Sequence, residues 1–188
     1  GDEEALDEEQ IRGLDLFNGK ARCIMCHNGP LASDEKFYNL GLPRQPLFSK
    51  IPKNQIGFRS QTYTAGVPEE VFRKVKSDLG LYFKSHNKED MGKFRTQPLR
   101  FIEYTPPYYH HGVLDDLEEV VEFYDQGGGD DYVLEDFGFS TKTARLKKLN
   151  LTDDEKEDLI YFLEGFTGEE IFIEIPVLPK PPTRITLR

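Results

Sequence analysis

The chain has 188 residues, enough for one domain with an extension, and carries 24 lysines and arginines against 34 aspartates and glutamates, a formal net charge of −10. That sign excludes nucleic acid as a partner, because its phosphates would repel the surface, and it suits a steered encounter with a basic partner. At 37% hydrophobic and 31% charged residues the composition is that of a folded soluble chain, and no run approaches the roughly 18 to 20 apolar residues of a membrane span. The chain does not begin with Met and shows no signal peptide, which reads as a mature or trimmed polypeptide.

Residues 1 to 5 are mostly acidic and read as frayed. Asp7 with Gln10 makes a capping box, with Leu6 and Ile11 placed as a hydrophobic staple. Ile11, Leu14 and Phe17 continue an apolar helix face, and Gly19 stops it. This helix delivers the chain to Cys23-Ile24-Met25-Cys26-His27, which holds both cysteines of the protein. The spacing C-x-x-C-H is that of covalent haem c attachment: two thiols reach two porphyrin vinyl groups, and the adjacent histidine lies under the iron. A zinc site would need further paired ligands, which His86, His110 and His111 do not offer. A thioredoxin-type pair would follow a strand, and here a helix precedes the motif. Two buried structural cysteines are the plain alternative. Haem attachment takes place outside the cytoplasm, so the motif predicts a bacterial periplasmic or otherwise extracytoplasmic protein.

Residues 28 to 66 read as turn and loop, punctuated by Gly29-Pro30, Ser33-Asp34, Gly41, Pro43, Pro46, Pro52 and Gly57. Loop of that length is expected where backbone wraps a cofactor. Pro68-Glu69-Glu70 opens a helix predicted to run to about Leu79, with Gly80 as its cap. Residues 93 to 112 mix arginines, aromatics and prolines. Arg95 and Arg100 are candidates for the haem propionates, because guanidinium offers carboxylate a two-pronged fork. A surface arginine is the equal alternative for each.

Asp115 or Asp116 caps a helix in which Leu117, Val120, Val121 and Tyr124 share one face, and Gly127-Gly128-Gly129 ends it. A loop to about Lys142 follows. Arg145, Lys147 and Lys148 form a basic cluster that reads as a solvated face. Thr152 with Glu155 is a strong capping box for a last helix that stops at Gly165. The fold class is therefore all-α, with class I cytochrome c-like helices and long loops wrapped around one covalently attached haem. Residues 1–168 form the haem domain, and residues 169–188, with Pro176, Pro179, Pro181 and Pro182, form an extended proline-rich tail.

These residues resemble the C-terminal haem domain of bacterial di-haem cytochrome c peroxidases, including the MauG branch. The resemblance rests on Leu16-Phe17 before the motif, Phe37-Tyr38-Asn39-Leu40-Gly41, Asp78-Leu79-Gly80, Gly92-Lys93-Phe94-Arg95 with Pro98-Leu99-Arg100, Thr105 to Gly112, Leu117 to Tyr124, and the helix after Leu151-Thr152. It implies a distal iron ligand fourteen residues after His110, a Met in typical peroxidases and a Tyr in the MauG branch; Tyr124 stands there. A hydrogen-bonded core tyrosine is the alternative for Tyr124. Met91 is the runner-up ligand, and His110 and His111 are competitors. A thioether raises the potential, whereas a hard phenolate favours Fe(III) and lowers it. The resemblance also implies a calcium ion between two haem domains, held partly by the carbonyls of Thr105 and Pro107.

The family's second haem motif, on the peroxide-binding domain, is not in this sequence. The favoured function is electron transfer by one haem c within a peroxidase-type protein, with a second haem domain, a subunit or another redox protein as partner. The alternatives are a peroxidase-like or MauG-like oxidant acting at this haem, and a single-haem sensor or structural subunit.

Overall fold

The computed structural model describes residues 5–44 and 50–168; the proline-rich tail read from 169 to 188 lies outside the described residues. Seven α-helices are described: α1 Glu8–Asn18, α2 Pro52–Thr64, α3 Glu69–Lys74, α4 Tyr82–Ser85, α5 Leu117–Asp125, α6 Tyr132–Phe137 and α7 Asp153–Glu164. Three 3-10 turns join them, at Cys23–Met25, Lys88–Asp90 and Ile102–Tyr104. Two short strands, β1 Phe37–Tyr38 and β2 Phe94–Arg95, pair antiparallel with Phe37 opposite Arg95. The all-α expectation thus holds in the main, with one two-residue ribbon added.

Both expected capping boxes form. The Asp7 side chain accepts from the Gln10 amide, and the Asp7 amide donates to the Gln10 side-chain oxygen; Thr152 and Glu155 do the same for α7. Asp116, not Asp115, caps α5. The staple does not form as read: Leu6 packs on the core, but Ile11 is 46% exposed. Gly127 and Gly128 take φ of +84° and +79° and end the α5 segment as expected.

Three stretches depart from the expectation. Residues 44 to 66 contain α2, because Pro52 occupies the first helical turn, where its missing N–H costs nothing. The helix from Glu69 stops at Lys74 and does not reach Leu79. Val75 turns to an extended conformation there, so that Val75 and Leu79 can both enter the core, at 0% and 1% exposure. The loop predicted after Gly129 contains α6, capped by the Asp131 side chain accepting from the Leu134 amide.

Two apolar clusters result. The first joins α1, α5 and α7 through Phe17, Leu117, Val120, Val121, Leu159 and Phe162, and Cys23 and Tyr124 pack against it. The second gathers Val67, Val71, Val75, Leu79, Tyr82, Met91, Tyr132 and Val133. Phe17 meets Phe162 edge-on at 5.2 Å. Arg12 holds Asp158 with two bonds of 2.8 Å, and Lys20 holds Glu155.

The Lys20 and Thr152 contacts keep the Glu155 carboxyl below its ordinary value. A carboxylate depressed in the folded state stabilises above its unfolded pKa and loses that contribution as pH falls through the folded one. Glu155→Gln is therefore expected to lower Tm at neutral pH and to converge with the wild type below the ordinary glutamate range. Thermal melts from pH 7 to pH 3 check this, and a Tm gap that widens on acidification would refute it.

Candidate haem site

The attachment motif follows α1 through a tight turn and opens on the Cys23–Met25 3-10 turn, which the His27 amide closes on the Cys23 carbonyl. Left-handed backbone brackets it: Arg22, Ala32 and Glu35 have φ of +59°, +47° and +56°. Such non-glycine residues cost of order 1–3 kcal/mol each and persist only where tertiary contacts hold them. Those contacts are visible. Ser33 donates its hydroxyl to the Thr96 carbonyl at 2.7 Å, the Thr96 amide bonds Lys36 O at 2.8 Å, and Arg100 gives Nε and Nη2 to the Pro30 carbonyl at 3.0 and 2.6 Å.

His27 Nδ1 lies 3.0 Å from the Ala32 carbonyl oxygen. A carbonyl can only accept, so Nδ1 carries the proton and Nε2 keeps its lone pair. This is the orientation in which a histidine serves a metal through Nε2, with its far nitrogen steadied by backbone. Burial lowers the His27 pKa, opposed by the Ala32 bond and by Asp34, which favours the neutral ring that a metal requires.

Neither cysteine is paired in a disulfide. Burial pushes Cys23 up to about 12. Burial also raises Cys26, against the opposing charge of Arg145.

Tyr124 packs against the same cluster as Cys23, and its hydroxyl is within electrostatic reach of both thiols and of Tyr109. Burial raises the Tyr124 pKa; the Tyr109 hydroxyl pulls the other way. Among the described residues the buried Tyr109 hydroxyl has no well-formed hydrogen bond, only the Tyr124 hydroxyl within reach. Two thiols at this spacing, an imidazole with Nε2 available, a phenol beside them and a buried hydroxyl next to that phenol make a donor set that fits a covalently bound haem.

The remaining predicted site residues fall elsewhere. Met91 is fully buried in the second cluster, apart from the one that holds Cys23 and Tyr124. Arg95 pairs with Glu35 at the surface. His110 is stacked between Phe94 at 3.7 Å and His111 at 4.2 Å, and His111 Nε2 lies 2.7 Å from the Pro43 carbonyl. Thr105 turns its hydroxyl to the Ile102 carbonyl, and both Thr105 and Pro107 are exposed. No cluster of three His, Cys, Asp or Glu side chains suited to a metal ion occurs among the described residues. Neither of two surface grooves, of about 880 and 450 Å³, is lined by Cys23, Cys26, His27 or Tyr124: the first lies along α5 and α7, and His110, His111 and Arg44 help line the second.

Arg145 corrects the reading of its cluster as a solvated face. Its Nη1 donates to the Met25 carbonyl at 2.6 Å and lies 4.0 Å from Cys26 Sγ. The guanidinium sits 5.1 Å over the Tyr38 ring, whose hydroxyl donates to Asp34 at 2.6 Å. No local pattern announces this, because the partners are 119 and 120 residues away in sequence.

No protein-family model matches the chain. It is 47% identical over 180 residues to the cytochrome-c peroxidase IdrP1 of Pseudomonas sp. (strain SCT), covering 95% of this chain and 45% of that protein. It is 29% identical over 181 residues to the methylamine utilization protein MauG of Methylorubrum extorquens, covering 95% of this chain and 40% of that one. The crystal structure of a MauG-like protein associated with microbial copper homeostasis superposes with a TM-score of 0.63 at 28% identity, over 87% of this chain and 45% of its own. The chain spans less than half the length of each of these relatives. The chain belongs to the di-haem cytochrome c peroxidase and MauG family. Family and motif together support haem c as its cofactor.

Proposed function

We propose that this chain is the C-terminal haem domain of a di-haem peroxidase or MauG-like protein and that it transfers electrons. One haem c is attached through Cys23 and Cys26, with His27 as proximal and Tyr124 as distal ligand. The bound haem supplies one-electron chemistry. The polypeptide binds its edge, steadies His27 through the Ala32 carbonyl and shields the site with the first core.

The observation that carries this reading is the convergence of Tyr124 and Cys23 on one apolar cluster, with the Cys26 thiol within electrostatic reach of Tyr124, while Met91 packs in the other. Partners are a second haem domain or another redox protein, and the compartment is the bacterial periplasm; no described helix is long and apolar enough to cross a membrane. Calcium at the Thr105 and Pro107 carbonyls belongs to the same proposal and depends on a ligand from the neighbouring haem domain.

Absorption and EPR spectra of the natively matured protein, with and without peroxide, test the role. A six-coordinate low-spin ferric centre that peroxide leaves unchanged is expected. A high-spin centre at this haem that reacts with peroxide would overturn electron transfer in favour of an oxidant.

A further inference from the structure

We infer that Arg145 is a positioning residue for the second thioether: it holds the Met25–Cys26 edge of the attachment loop so that Cys26 Sγ faces a vinyl group, and it then remains as a fixed positive charge at that edge. The inference rests on covalent haem attachment at Cys23 and Cys26.

Five contacts link Arg145, Tyr38 and Asp34 to the Met25–Cys26 edge. Arg145 Nη1 bonds the Met25 carbonyl at 2.6 Å and lies 4.0 Å from Cys26 Sγ. The guanidinium plane is supported by the Tyr38 ring at 5.1 Å, and the Tyr38 hydroxyl is fixed by Asp34 at 2.6 Å. The Asp34 amide closes the circuit by donating to the Cys26 carbonyl at 2.8 Å. Cys23 is held differently, with its sulfur 3.7 Å from the Ala21 carbonyl. One cysteine is thus set by local backbone and the other by a side chain from far along the chain.

In thioether formation Sγ–H adds across the vinyl double bond. The sulfur bonds the inner carbon, the thiol proton ends on the outer carbon, and no external oxidant or reductant is consumed. The step needs Sγ aimed at one carbon, and loss of the Arg145 tether removes the aim without touching Cys23. The retained guanidinium also favours the less positive ferrous state, because a nearby cation opposes the extra charge of Fe(III).

The test is Arg145→Met in natively matured protein, with Arg145→Lys beside it. In the wild type, denatured haem in pyridine shows the band of a macrocycle with no free vinyl. R145M is expected to show a longer-wavelength band, since one unreacted vinyl stays conjugated with the ring, together with a more negative reduction potential. R145K keeps the charge but not the fork, so it is expected to hold the potential and still show part of the long-wavelength species. Should R145M give no haem protein, R145K decides by its band alone.

Two intact thioethers and an unchanged potential in the variant would overturn the inference. A merely structural role would lower yield or Tm without moving the band. Wild-type protein that carries no covalent haem would instead overturn the attachment reading itself.

Discussion

Tyr124→Phe is expected to change the ferric spectrum outright, with loss of phenolate-to-iron charge transfer and a shift of the reduction potential to more positive values. The substitution deletes one oxygen and keeps the ring that packs against the first core, so its cost to folding is of order 1 kcal/mol and cannot itself account for a spectral change. Met91→Ala is the contrasting variant. Met91 is fully buried in the second cluster, and truncating such a side chain costs about 2–5 kcal/mol. It is therefore expected to lower Tm strongly while leaving the spectrum of the folded fraction as it was. The reverse pattern, an unchanged Tyr124→Phe spectrum with an altered Met91→Ala one, would remove Tyr124 as a ligand and install Met91.

Gly13→Ala should be among the most damaging single substitutions in the described fold, although alanine is the better helix former by about 1 kcal/mol. A Cβ at Gly13 would stand 2.1 Å from the Asp158 carbonyl oxygen and 2.6 Å from Phe162 Cβ. The first of these is backbone in the middle of α7 and cannot rotate away. Relief requires α1 and α7 to separate, which also loosens the Phe17–Phe162 contact and the Arg12–Asp158 pair. Overpacking typically costs 1–3 kcal/mol and occasionally more; about 3 kcal/mol is expected here because the obstructing atom is main chain. Denaturant unfolding of matured Gly13→Ala protein measures it. Since α1 leads directly into Cys23, a lower yield of haem protein should accompany the loss. Stability equal to the wild type would mean that α1 and α7 are not held at this distance in solution.

The local signals that were legible share one property: both halves of the interaction lie within a few residues. Asp7 and Gln10, Thr152 and Glu155, and the attachment motif itself are complete in a single stretch of sequence. The face of α5 was equally legible, because a period of three to four residues is written along the helix. The stop of α3 at Lys74 was not, since what ends that helix is the burial of Val75 and Leu79 among residues far away in sequence. Helix α2 was hidden by prolines and glycine that read as punctuation, although one of those prolines sits where a helix begins.

The site divides along the same line. Sequence alone determined that two thiols and a histidine are spaced for a porphyrin, and by resemblance it nominated Tyr124. Only the tertiary structure could decide that His27 presents Nε2 because its other nitrogen meets the Ala32 carbonyl, that Met91 lies in a different core from Cys23 and Tyr124, and that Arg145 reaches Met25 and Cys26. Spacing along a chain sets which atoms a short segment can offer. Which of them meet, and in what orientation, depends on how distant helices close over one another.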